Sequence, residues 1–322
     1  MTPLLAYDLN VGSGAQSRSD VVVFAHGILG SRSNWKSFAR KFCESSGCST
    51  LAVDLRNHGQ SHGLPPPHSV QAAADDVSAL CASLGLRPVV VVGHSWGGKA
   101  MLQMALDNAA VAVAVVVDAP FGLRRFGQGE EIDRVLDAVA AVSLPVPSRK
   151  ALVDILVARG LSLPLAQWMT TNLNEQLRWK FDLAAIPPML ASFGSLDLWP
   201  AVLRHRPSLA VHVVRGGRSD RWSDGELSTG SSPGGAEFTG SASRAGELST
   251  GSSPGGEEFT GSASRAGELS TGSSPGGDEL RRLHEAVGAG VVVEHVLKKA
   301  AHWVHTDDPE GLLAVLLASL PP

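Results

Sequence analysis

The chain is poor in cysteine: of 322 residues, only Cys43, Cys48 and Cys81 carry thiols. An odd, sparse set with no C-x-x-C pair and no Cys/His ligand spacing excludes a disulfide framework and a zinc site, and predicts three reduced thiols. Long hydrophobic runs are also missing. No apolar stretch reaches the roughly 18 uncharged residues that a membrane-spanning helix needs. The opening MTPLLAYDLNVGSG has too short an apolar run and no basic flank for a secretory signal. Localisation is therefore expected to be cytoplasmic or organellar (mitochondrion or chloroplast). Positive charge is not in excess either. The formal net charge is −4, which argues against nucleic acid or an anionic membrane as partner. What is present is an ordinary 43% of apolar residues, enough for one large α/β domain or two ordinary ones.

One repeat interrupts the chain. GELSTGSSPGGAEFTGSASRA starts at Gly225, recurs from Gly246 with Ala236 replaced by Glu257, and recurs truncated from Gly267 to Gly277. Gly, Ser, Thr, Pro and Glu dominate each copy, and each has one Leu and at most one Phe to bury. Such a segment cannot offset its ordering entropy, so 225–277 is expected to be a disordered insert. It holds six Glu and two Arg, so the rest of the chain is formally neutral.

Outside the repeat, strand and helix signals alternate. Apolar and β-branched runs at 21–25, 50–55, 88–92, 111–117, 209–214 and 290–297 predict strands. Helical spacing predicts helices at 34–45, 69–84, 97–109, 278–288 and 309–319, the last opening on Pro309 with Asp307 or Asp308 as cap. The alternation implies a doubly wound, mostly parallel sheet. Residues 121–208 break the rhythm with prolines, Trp168, Trp179 and Trp199, and few strand runs. They read as a helical cap between two parts of an α/β core, 1–120 and 209–322.

The strand at 88–92 runs into Gly93-His94-Ser95-Trp96-Gly97, and a helical stretch follows. G-x-S-x-G between strand and helix is the nucleophile elbow of the α/β-hydrolase fold. Its serine sits on a strained turn, and its glycines let backbones crowd together. The pattern alone is weak, because Ser232, Ser253 and Ser274 also fit it. Those three follow no strand and carry proline where the next N–H is needed. Ser95 is therefore the expected nucleophile. The upstream turn Ala25-His26-Gly27-Ile28-Leu29 ends an early strand. With Trp96 it supplies the expected oxyanion N–H groups, from Ile28 or alternatively Leu29. His26 reads as a loop-ordering residue.

The expected base is His302, in AAHWVH after the last strand, with His305 as rival. His58, His62 and His68 lie in a Gly/Pro-rich loop and read as loop or surface residues. Two strand ends offer the orienting acid, Asp118 and Asp220. Asp54 reads as a partner of Arg56 or as a loop anchor.

HGILGS, DLRNHGQS, GHSWGGKA, VVDAP and AAHWVH in this order resemble the abhydrolase domain-containing protein 11 family and YbfF-type bacterial esterases. The resemblance covers most of the chain outside the repeat and is weakest in the cap. It implies ester or thioester hydrolysis without metal or organic cofactor, on a small-molecule acyl ester or a lipid. It favours Asp118 as acid, with Asp220 kept as alternate because SDRW at 219–222 looks like plant and algal relatives. It also puts Trp96 where bacterial members usually have Met. Two other functions fit the same residues. His302 to Asp307 spells the H-x4-D of some lipid acyltransferases of this fold, and a low-turnover receptor or scaffold would keep the same triad. The oligomeric state is not legible in the sequence.

Overall fold

The central strands form where valine and its neighbours are buried on both faces. A computed structural model describes residues 5–14, 19–124, 131–205, 207–222 and 275–321. Among these residues one seven-stranded sheet is built from β1 (Tyr7–Asn10), β2 (Asp20–Ala25), β3 (Ser49–Val53), β4 (Arg87–His94), β5 (Val113–Val117), β6 (Ala210–Gly216) and β7 (Val292–Leu297). Every residue of β5 is buried. Side-chain alternation sends Ala114 and Val116 into one core and Val113, Val115 and Val117 into the other, so a continuous apolar run is what this position requires.

The strand order is β1-β3-β2-β4-β5-β6-β7, and only β1 is antiparallel to its neighbour. β2 thus has β3 on one side and β4 on the other. In open parallel sheets such a reversal leaves a crevice at the carboxyl ends of the strands, where ligands bind. Gly27 follows β2 and Ser95 follows β4, so both stand at this point.

The helices Lys36–Ser46 and Pro309–Ala318 contribute to one core. Val70–Ser83 and Trp96–Asp107 contribute to the other, with all the buried hydrophobic residues of 131–202. Between β5 and β6 the described residues form helices at Glu131–Ala140, Arg149–Ala158, Leu163–Met169, Ile186–Ser195 and Trp199–Val202, and no named strand. Asp308 caps the final helix by accepting from Gly311 N–H at 3.0 Å, with Pro309 in the first turn. Asp307, the other cap considered, instead accepts from Ala301 N–H at 2.8 Å.

The repeat lies outside the described residues up to 274. Its expected last residues, 275–277, belong instead to the helix Pro275–Gly288, which starts three residues before the expected 278. A proline without an N–H is tolerated in a first helical turn, so Pro275 is no barrier there. The three cysteines are buried and none is in a disulfide. No helix among the described residues is long and apolar enough to cross a membrane.

Candidate active site

Ser95 links β4 to the helix Trp96–Asp107 with φ 52° and ψ −121°. For a residue with a Cβ this is strained, at a cost of about 1–3 kcal/mol, and it persists because the surroundings hold it. Ser95 N–H donates to Val117 O at 2.9 Å, which ties the turn to the end of β5. The flanking glycines are steric necessities. A Cβ on Gly97 would lie 2.2 Å from His26 O, and one on Gly93 would lie 2.2 Å from Gly97 O.

The turn after β2 is braced by two buried histidines. His26 Nδ1–H donates to Gly27 O at 2.8 Å, and His26 Nε2 accepts from Leu55 N–H at 3.0 Å. His58 Nδ1–H donates to Arg56 O at 2.9 Å, and its Nε2 accepts from Leu29 N–H at 3.0 Å. Each ring therefore donates from one nitrogen and accepts at the other, as only neutral imidazole does. Burial lowers both pKa values, to about 4 for His26 and about 3 for His58. The bond to His58 occupies Leu29 N–H. Ile28 and Trp96 N–H have no hydrogen-bond partner among the described residues, and both residues line the same cavity as Ser95.

Asp118 directly follows β5 at φ 48° and is wholly buried. Its Oδ2 accepts from His302 Nδ1–H at 2.7 Å. Ser219 Oγ–H also donates to Oδ2, at 2.5 Å, while Gly216 N–H and Trp222 Nε1–H donate to Oδ1 at 3.2 Å. Burial pushes the Asp118 pKa up to about 6, against the pull of the Ser219, Gly216 and Trp222 hydrogen bonds. Burial, reinforced by the Arg221 charge, holds His302 well below the usual histidine range, so its ring is neutral near pH 7.

The alternates stand elsewhere. The Asp220 side chain is 82% exposed and lies 3.6 Å from Arg221 Nε, while Asp118 takes His302 Nδ1. His305, the rival base, is buried, with its ring 4.7 Å from that of Trp35 and 4.9 Å from that of His94. Asp54 does anchor its loop, but through Arg32 and Gln60 N–H, whereas Arg56 pairs with Asp76 at 2.8 Å. His68 Nδ1 lies 2.9 Å from Asn57 Nδ2, and His62 lines a separate polar cleft.

Ser95, Asp118 and His302 share one cavity of about 400 Å³. Its walls include Trp96, Leu165, Trp168, Leu190, Phe193 and Trp303, and Arg124, Arg218 and Arg221 also border it. Sequence reasoning misses three residues around the site. Ser219 and Trp222 hold Asp118 and sit in the same SDRW segment as Asp220; its strand-end position is the available signal. His94, inside the elbow motif, donates from Nε2 to His302 O at 2.9 Å, and no local pattern announces that contact.

Residues 22–315 match the alpha/beta hydrolase family. The sn-1-specific diacylglycerol lipase ABHD11 of Mus musculus is 36% identical over 172 residues, which are 50% of this chain and 55% of the lipase. Ethanol acetyltransferase 1 of Wickerhamomyces anomalus is 36% identical over 122 residues, 35% of this chain and 31% of that enzyme. The chain thus spans about half the length of the first of these relatives and less of the second. A solved structure titled marine microorganism esterase superposes with TM-score 0.70 at 18% identity, covering 98% of this chain and 99% of its own, a likeness of fold. With a match from β2 to the final helix and the elbow geometry at Ser95, this chain belongs to the alpha/beta hydrolase family.

Proposed function

We propose that this chain is a serine hydrolase of carboxylic esters or thioesters. The observation that carries the reading is the 2.7 Å bond from His302 Nδ1–H to buried Asp118, on the wall of the cavity that holds the strained Ser95. Ser95 Oγ attacks the acyl carbonyl and His302 Nε2 takes the hydroxyl proton. The oxyanion of the tetrahedral intermediate is met by Ile28 and Trp96 N–H. Collapse expels the alcohol or thiol, which takes the proton from His302, and leaves an acyl ester on Ser95. Water then attacks that ester, giving its proton to His302, and the acid leaves as the proton returns to Ser95. Asp118 keeps Nδ1–H directed at itself, so Nε2 is the basic nitrogen, and it stabilises the imidazolium formed at each step. The apolar walls support an acyl lipid or a small acyl ester as substrate, as does the diacylglycerol lipase named among the relatives.

A fluorophosphonate probe tests this. It is expected to label the wild type and not Ser95→Ala; a wild type that binds ester ligands without being labelled would be a receptor, and the proposal would fail.

Acyl transfer is the second reading, favoured by the likeness to an ethanol acetyltransferase. The H-x4-D pattern adds little to it, because Asp307 is engaged as acceptor of Ala301 N–H in the loop before His302. Product analysis with added ethanol separates the two: free acid marks hydrolysis, and ethyl ester marks transfer.

A further inference from the structure

Lys99, four residues after Ser95, is wholly buried, yet it lines no part of the cavity and takes no part in the proposed chemistry. Its Nζ donates to Gly122 O at 2.7 Å and to Phe193 O at 2.8 Å, and lies 4.5 Å from the centre of the Phe193 ring. On the other side of the same segment stands Glu279, also buried, from the helix Pro275–Gly288. Its Oε2 accepts from Phe121 N–H at 3.1 Å and Gly122 N–H at 3.2 Å, and Trp199 Nε1–H donates to the same carboxylate at 3.1 Å. Leu198 N–H satisfies the remaining carbonyl, that of Phe121, at 2.9 Å.

Every backbone polar group of Phe121 and Gly122 is thus held, and three of the four by ionisable side chains. A Cβ at position 122 would lie 1.8 Å from Glu279 Oε1, so a side chain there would push the carboxylate off its hydrogen bonds. Burying a lone ammonium or carboxylate is costly, and opposite charges on either side of one residue offset that cost while making strong, directional hydrogen bonds. The segment so held leaves Asp118 only three residues earlier. The other group that Lys99 holds, Phe193, contributes to the cavity wall beside Leu190.

We propose that Lys99 and Glu279 form a charged clamp on Phe121–Gly122 that fixes the Phe193 wall of the cavity and thereby sets which acyl chains are accepted. The clamp rests on the hydrolase reading for its substrate and on the contacts alone for its existence. Lys99 and Glu279 are positioning residues, since neither reaches the reacting atoms.

The test compares wild type, Lys99→Met, Glu279→Gln and the double variant by two readouts. The first is kcat/KM on p-nitrophenyl octanoate relative to p-nitrophenyl acetate. Lys99→Met is expected to lower this ratio about tenfold, mainly through KM for octanoate, the scale of losing one or two methylene contacts in a pocket. Glu279→Gln is expected to lower it less, and the double variant is expected to fall short of the product of the two effects. The second readout is amide hydrogen exchange, expected to quicken at Phe121 and Gly122 in Glu279→Gln. An unchanged ester ratio in folded Lys99→Met, or equal losses on both esters, overturns the proposal. Should Lys99→Met fail to fold, Glu279→Gln decides by the same ratio. If the wild type hydrolyses neither ester, the hydrolase reading has failed on its own, and unchanged exchange in Glu279→Gln is then what overturns the clamp.

Discussion

His94 Nε2–H donates to the backbone carbonyl of His302 at 2.9 Å, so the residue before the proposed nucleophile holds the loop that carries the proposed base. The two rings are 4.6 Å apart. Burial keeps His94 well below the usual histidine range, so the ring is neutral and donates from Nε2 only. Losing this contact frees the base by an ångström or so, which is worth about a hundredfold in rate. His94→Ala is expected to lose about that much in kcat while His94→Gln, which keeps an N–H donor, recovers part of it. Steady-state kinetics on folded variants checks the ranking; equal losses in both would remove the positioning role.

Asp118→Asn is expected to reduce kcat by about 10⁴, the scale of a misdirected imidazole tautomer. Asp220→Asn is expected to change it only a few-fold, since that side chain is exposed and faces Arg221. Side-by-side kcat measurements decide, and the reverse ranking would move the acid to Asp220.

The acid limb of activity follows from Asp118. Its pKa is raised by burial to about 6, so below that pH the carboxyl is protonated and no longer accepts the His302 Nδ1–H as a carboxylate does. The profile of kcat/KM is expected to fall as pH drops through about 6, with the limb belonging to the Asp118–His302 pair. Ser219 Oγ–H stabilises the carboxylate form, so Ser219→Ala should move the limb to higher pH. A limb that stays put or moves down contradicts this account.

Stability carries its own pH dependence. Burial lowers His26, His58, His212 and His305 to about 4, 3, 4 and 4. In the unfolded chain each takes a proton near pH 6.5, so the unfolded state binds more protons below that pH. Their neutral burial is without penalty above about pH 6.5, and stability is lost as pH falls from there toward about 4. Each such site contributes a slope of up to about 1.4 kcal/mol per pH unit. Urea unfolding at pH 7.5, 6 and 5 should show a falling free energy, and a flat series would count against neutral burial.

Gly97→Ala puts a Cβ 2.2 Å from His26 O, a backbone atom that cannot swing aside. Either the elbow or the turn after β2 must shift, and both carry proposed site groups. Expected are a cost of several kcal/mol in stability and loss of fluorophosphonate labelling. Gly63→Ala, with open space at its Cβ but φ 72°, should cost less and leave labelling intact.

The centre of the sheet is legible in sequence because β2, β4 and β5 are apolar on both faces, and the runs at 21–25 and 111–117 leave little else to form. β1 escapes sequence reading for the opposite reason. Tyr7–Asn10 is an edge strand with no buried residue, so it offers no hydrophobic signal. Ser95 can be singled out because strand, glycines and helix are contiguous in sequence. The choice between Asp118 and Asp220 is not local. It depends on how β6 and the loop after β7 bring Gly216, Trp222 and His302 around one carboxylate, contacts that span 98 to 184 residues. Lys99 and Glu279 are invisible for the same reason. A buried lysine reads as a surface residue until the carbonyls it meets are known.

The 184-residue span between Asp118 and His302 has a consequence for synthesis. During translation the strained serine and its glycines emerge well before the imidazole of His302. A nascent chain stopped between residues 95 and 302 would carry the proposed nucleophile without the proposed base. On the proposed assignment, ester cleavage is withheld until β7 has joined the sheet, and completion of the sheet acts as the activation step.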